Sequence, residues 1–267
     1  MITTAIIVGI AGIFVGGVLN ALADELPTYT KPKLPHYPDG TPRPLIAWLG
    51  ISAFLTGHRT AETGSSLSWR YPLTELATSI AMIVTVISTE NDPEVTDEQL
   101  VFWLVYMAVF VLITVIDMEH RLILFSVIIP SLVLALLDAV LTPHNHEPDL
   151  ESALIGAGLG FGIFFIMYLG GILYTYVRGL NVVAFGYGDV MLITLSGLIL
   201  GWELLIFAMF ITVFIGAIGS VVYIVVNGVI GRGNMMMKAL PYGPYIVLGT
   251  VIMLLFSAEV RQIVAGY

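Results

Sequence analysis

The sequence predicts an all-α, polytopic membrane protein with about eight transmembrane helices and one long cytoplasmic loop. Three observations predict it. Of the 267 residues 58% are hydrophobic and only 11% charged, and the mean hydropathy is +0.96, whereas a soluble domain carries roughly 25% charged residues. Apolar runs recur at lengths close to the ~20 residues that cross ~30 Å of hydrocarbon. Lys and Arg fall almost entirely into alternate loops, as in a chain threaded back and forth through a bilayer. With no cysteine, a disulfide framework, a thiolate nucleophile and a Cys-ligated zinc site are excluded.

The first apolar run, residues 5–22, has no Lys or Arg before it, so it reads as a retained span and not as a secretory signal, which needs a basic n-region. Residues 23–71 form the one long polar segment. Six prolines crowd its start, from Pro27 to Pro44, and disfavour regular helix there. The mildly apolar 45–55 follows with helical spacing and is expected to lie in the interface. Spans are then expected at 72–88, 99–116, 122–141 and 152–177. Run 190–201 is short for a crossing and 202–230 is long, with Gly201 and Trp202 marking a tight turn between them. The last span is 241–264.

Eight spans place Lys31, Lys33, Arg43, Arg59, Arg70, Arg121, Arg178, Arg232 and Lys238 on one side and only Arg261 on the other. That side is cytoplasmic by the positive-inside rule, which puts both termini outside. Merging 190–201 with the following run would move Arg232 and Lys238 outside and degrade the split. The organisation expected is a first transmembrane helix (1–22), a cytoplasmic loop (23–71) and a seven-helix membrane domain (72–267). The acidic stretch 89–99 and the segment 143–151 face outward. A metal site on His144, His146 and Asp149 is outweighed by an exposed polar loop, because nothing fixes the ligand geometry; no metal is expected.

Carboxylates are costly near hydrocarbon and there face a cavity or a partner. Asp117 closes the third run in "VIDMEHRL", and Asp189 opens the sixth in "FGYGDVML"; the charge count puts both at the cytoplasmic face. Two carboxylates held close in a low-dielectric site share a proton near neutral pH, so that one activates a water while the other polarises a carbonyl. Gly186 and Gly188 supply a permissive backbone beside Asp189. Placement alone is equally satisfied by two solvated boundary residues, and Asp138, in the outward half of its span, shows that carboxylates enter this membrane region for other reasons.

Five blocks in order resemble the type IV prepilin leader peptidases, bacterial members of the GxGD intramembrane aspartyl proteases: "GIFVGGVLNALADELP", "SWRYPLTELATS", "VIDMEHRLI", "FGYGDVML" and "LPYGPYIVLG". The resemblance implies that Asp117 and Asp189 are the catalytic pair, supported by Gly186 and Gly188. It also implies that the substrates are prepilins and pseudopilins, cut between a short basic leader and the apolar segment after it. Proteolysis would need no cofactor. Many members also methylate the new amino terminus with S-adenosylmethionine, an activity tied to the first cytoplasmic loop; Glu75 and Asn20 are the candidates for a substrate or methyl-transfer site, against a capping role for Glu75 and a polar helix end for Asn20. The partners are those substrates and the lipid bilayer, with no nucleic acid and the oligomeric state left open. The chain departs from the family's pattern in its cysteine-free loop, read as zinc-independent, and in Leu124–Phe125 where the family has a proline–aspartate pair. The rival reading is a proton- or cation-coupled transporter in which the same carboxylates relay the ion.

Overall fold

A computed structural model describes residues 2–28, 33–89, 95–142, 148–179, 186–229 and 241–260. Among the described residues the regular structure is helical, with no strand: α1 (Ile2–Glu25), α2 (Gly50–Leu55), α3 (Arg70–Thr89), α4 (Asp97–His120), α5 (Phe125–Leu141), α6 (Leu150–Arg178), α7 (Tyr187–Val229) and α8 (Gly243–Leu255). Five of these are long and apolar enough to cross a membrane, and α5 and α8 are shorter apolar helices. The chain is an all-α polytopic membrane protein. It divides into two compact units, Met1–Ser126 and Val127–Tyr267.

In the first unit α1 packs on α3 through glycines. A Cβ built on Gly12 would lie 2.7 Å from Ser79 Cα, and one on Gly16 2.5 Å from Glu75 Cα. The two backbones therefore touch, as helices do in lipid, where close van der Waals fit replaces a hydrophobic driving force. The Ser79 hydroxyl adds a cross-helix hydrogen bond of 2.8 Å to the Gly9 carbonyl. Helix α4 starts at Thr96, whose side chain accepts from the Gln99 amide at 3.3 Å, and stops at Arg121, which is left-handed at φ 55°. Its buried face carries Tyr106, Met107, Phe110, Ile113 and Ile116.

The polar loop between α1 and α3 is folded. Two tight turns, each with a glycine at positive φ (Gly40 at 85°, Gly64 at 89°), close the hairpin-like segments around His36↔Pro42 and Thr60↔Ser66. They are clasped by Asp39, whose carboxylate accepts from the hydroxyls of Thr41 and Thr63, and by the Tyr37 phenol, which donates to the His58 carbonyl at 2.8 Å. Beneath them Tyr37, Ala47, Ala53, Leu67 and Tyr71 form a small apolar core. The expected helical stretch at 45–55 is a 3₁₀ turn, Leu45–Ala47, followed by the short α2.

In the second unit α6, α7 and α8 pack together. Helix α7 is broken at Gly201, where φ is 72° and ψ 174°. Added carbon on Gly160 of α6 would meet both Ile193 O and Leu205 Cδ2, so the stretches before and after Gly201 run back along the same neighbour. The break is a reversal, and the expected turn at Gly201–Trp202 is what the chain has. Gly156 and Gly197 sit backbone to backbone, each leaving no room for a side chain on the other. On the far side of α7, the Thr250 and Ser196 hydroxyls are hydrogen-bonded at 2.7 Å.

Candidate active site

Asp117 occupies the last turn of α4 and is 4% exposed, whereas Met118 beside it is 65% exposed; the helix turns the carboxylate inward. Its backbone is pinned by the helix stop, since the Arg121 amide donates to the Asp117 carbonyl at 2.9 Å. Two residues on, Glu119 accepts from Arg70 at 2.7 Å, and the same guanidinium pairs with Asp24 at the end of α1. One arginine from α3 thus ties the ends of α1 and α4 together beside Asp117. A charged side chain so nearly buried is tolerated because it is paired on two sides.

Asn20 and Glu75, predicted from separate blocks, are brought together. The Asn20 amide donates to the Tyr71 carbonyl at 2.9 Å and to Glu75 Oε1 at 3.4 Å. Glu75 in turn accepts from the Gly50 amide at 2.5 Å and the Ile51 amide at 2.8 Å. These are first-turn donors of α2, whose N-cap residue, Leu49, offers no side-chain acceptor. Glu75 therefore caps a helix, though not its own: it supplies from α3 the acceptor that α2 lacks. Asn20 Oδ1 is buried without a hydrogen-bond partner among the described residues.

Arg43 lies over the opposite edge of this cluster. It is 6% exposed, donates through Nε to the His36 carbonyl at 2.8 Å, and stacks 4.4 Å from the Tyr71 ring centre. Arg70 stacks on the same ring at 4.3 Å. Unlike Arg70, Arg43 makes no ion pair among the described residues. Burial lowers its pKa from the ordinary guanidinium value, with Tyr71 and Asp24 opposing that shift. Neither arginine stood out in the sequence as a site residue; the signal for Arg70 was present in its block, "SWRYPLTE".

In the second unit Asp189 sits in the first turn of α7 and is partly buried. The Asp189 amide donates to the Gly186 carbonyl at 3.2 Å, closing the G-x-G-D turn. A Cβ on Gly186 would stand 3.2 Å from Asp189 Oδ2, so a side chain there would crowd the carboxylate. Gly186, Gly188 and Asp189 are thus one local constellation, whereas Asp117 belongs to the other unit.

The other histidines, Asp149 and the methionine cluster have local roles or fall outside. His36 lies 3.4 Å from Glu25, and the His58 ring contacts the Thr56 hydroxyl at 3.0 Å. Asp149 caps α6 by accepting from the Ser152 amide at 2.8 Å; His144, His146 and the methionines 235–237 lie outside the described residues. Phe125, at the departure after Asp117, opens α5.

Residues 104–221, which contain both aspartates, match the type IV leader peptidase family. A prepilin leader peptidase/N-methyltransferase of Dichelobacter nodosus is 30% identical over 220 residues, covering 82% of this chain and 68% of that protein. The chain belongs to the type IV leader peptidase family. Proteins of the same name from Aeromonas salmonicida and Stutzerimonas stutzeri are 28% and 27% identical over 82% and 84% of the chain, covering 67% and 68% of their own lengths. No solved structure gives a significant match. Membership in the leader peptidase family supports a peptidase and gives no support to the transporter reading.

Proposed function

We propose that this leader peptidase family member is a membrane-embedded aspartyl endopeptidase of the inner membrane. It removes the short basic leader of type IV prepilins and pseudopilins at the cytoplasmic face, with both of its own termini outside. The observation that carries the reading is the pair of aspartates inside the matched region, each ending or opening an apolar helix. In this reading Asp117 and Asp189 work together on one water. The positive end of α7 favours a charged carboxylate at Asp189, and the negative end of α4 disfavours one at Asp117. Asp189 accordingly takes a proton from the water, whose oxygen bonds to the scissile carbonyl carbon. Asp117 donates its proton to the carbonyl oxygen. Collapse of the tetrahedral diol breaks the C–N bond as the proton held by Asp189 passes to the departing amine and one diol hydroxyl returns its proton to Asp117, which restores the starting state of the pair.

The second activity is N-methylation of that new amino terminus. S-adenosylmethionine, when bound, supplies a sulfonium methyl group. The residues present fit such a cofactor: among the described residues Arg43 is a buried guanidinium without an ion-pair partner, suited to its carboxylate, and Asn20 Oδ1 is a buried acceptor without a hydrogen bond, suited to an amino group. Glu75, with both oxygens engaged by α2, acts as the scaffold of this region.

The test is cleavage of a prepilin by the purified chain, by Asp117→Asn and by Asp189→Asn, with S-adenosylmethionine present and product masses recorded. Each variant should lose at least about 100-fold in rate, as removal of a general acid or base does, and the wild-type product should carry one added methyl group. Cleavage at the wild-type rate by either folded variant would overturn the dyad.

A further inference from the structure

The block "LPYGPYIVLG" opens α8, and its role is visible in how α8 lies against α7. After the reversal at Gly201, Thr212 and Gly249 are in contact, the Thr212 hydroxyl reaches the Tyr245 carbonyl at 3.2 Å, and a Cβ on Gly216 would stand 3.2 Å from Tyr242 Cε2. As the number rises on α7 it falls on α8, so α8 is antiparallel to the second stretch of α7. It is therefore parallel to the first stretch, which carries Asp189. The Thr250–Ser196 hydrogen bond fixes that register. Eight positions before Thr250 stands Tyr242, and eight before Ser196 stands Gly188, next to Asp189. Both intervals rise about 12 Å, so Tyr242 arrives level with Asp189.

Two further observations agree with this placement. Tyr242 is the N-cap residue of α8, and its carbonyl accepts from the Tyr245 and Ile246 amides, which holds its backbone still. The Asp189 carboxylate acts electrostatically on the Tyr242 phenol. Among the described residues the other titratable groups near this turn are Tyr187 on α7 itself and Tyr168 on α6, whose rings meet at 5.5 Å. Tyr245 packs by its hydroxyl against Gly219, and Arg178 lies farther along α6, over Tyr174.

We propose that Tyr242 is a positioning residue for Asp189: its phenol O–H donates to the carboxylate, holding it ionised and aimed. This rests on the aspartyl-dyad reading and adds to it the group that keeps the basic member of the pair in its working form. Gly216 is part of the device, because a Cβ there would press on the edge of the Tyr242 ring at 3.2 Å. Tyr187 and Tyr168, paired with each other, are left to line the turn.

The experiment compares the full-length wild type, Tyr242→Phe and Asp189→Asn in lipid nanodiscs. Phe keeps the ring against Gly216 and removes only the hydroxyl, and thermal unfolding checks that the fold is retained. Prepilin cleavage is measured from pH 5 to 9, and carbodiimide labelling of Asp189, which requires the protonated acid, is read by mass spectrometry. With Tyr242→Phe the acid limb of the rate profile should move up by about one to two pH units, the size of a lost hydrogen bond to a charged acceptor. The alkaline limb and KM should hold, and labelling at pH 6 should rise several-fold. An unmoved acid limb with unchanged labelling overturns the proposal, whatever happens to the maximal rate. If labelling rises in Tyr242→Phe while Asp189→Asn still cuts at the wild-type rate, the Tyr242–Asp189 contact stands and the dyad falls.

Discussion

Replacing Glu75 by alanine would test whether this buried carboxylate is a scaffold. Its two oxygens accept from the Gly50 and Ile51 amides, and Asn20 contributes a longer contact at 3.4 Å. Truncation leaves two first-turn donors of α2 without an acceptor, at roughly 1–3 kcal/mol each, and no side chain of Leu49 can replace the cap. The loss should total about 2–6 kcal/mol, borne by α2 and the ground it stands on. Gln keeps one carbonyl oxygen for one amide while turning an NH₂ group towards the other, so about half the loss should return. The assay is hydrogen exchange by mass spectrometry on peptides covering 45–56. Glu75→Ala should exchange at least ~30-fold faster there, since 1.4 kcal/mol is about tenfold, and peptides in the middle of α4 should be unchanged. Wild-type protection at 45–56 in Glu75→Ala would refute the scaffold reading.

Other outcomes follow from the same physics. Gly201→Ala should destabilise the second unit by about 1–3 kcal/mol, because φ is 72° and the new Cβ would come 2.8 Å from Pro148 Cβ; unfolding in mixed micelles measures it. Arg43→Gln should weaken equilibrium binding of radiolabelled S-adenosylmethionine at least tenfold while leaving leader cleavage intact. Hydrogen bonds from Thr63 and Thr41 hold the Asp39 carboxyl below its ordinary value. A depressed carboxylate stabilises the folded state above its unfolded pKa, and that contribution disappears as pH falls through the folded one. The clasp between the two turns should therefore loosen at acid pH below the usual Asp range, seen as faster exchange at 37–43, and Asp39→Asn should abolish that dependence.

What could be read from the sequence was whatever depends on local composition and short range. The apolar helices, the turn at Gly201 and the G-x-G-D turn follow from hydropathy, from glycine and from residues within four positions of one another. The folded loop was not legible. Prolines 27–44 signal irregular backbone, but the bond between Asp39 and Thr63 spans 24 positions and depends on two turns closing in the right orientation. Glu75 illustrates the same limit: an acid in the first turns of α3 reads as a cap for α3, and only packing shows that it serves α2. Arg43 gave no signal, since an arginine in a proline-rich loop looks like any cytoplasmic charge until its ring partner and its burial are known. Tyr242 gave no signal either, since its place against α7 depends on contacts at Thr250 and Gly216 that lie far away in sequence.

The reversal at Gly201 sets a depth. The stretch before it, residues 187–200, has fourteen residues and rises about 21 Å, against a hydrocarbon slab of ~30 Å. With its glycine end at one lipid boundary, its other end stops some 9 Å short of the opposite one. On the proposed reading this places Asp189 beneath the headgroups, reached by a dimple in the membrane or a column of water. The proposed hydrolysis in a bilayer needs such a well, and about a turn and a half of helix is what this stretch lacks to fill it. Lengthening the stretch by one turn before Asp189 would raise the carboxylate toward the surface, and the position of the cut relative to the apolar segment of the substrate should move with it.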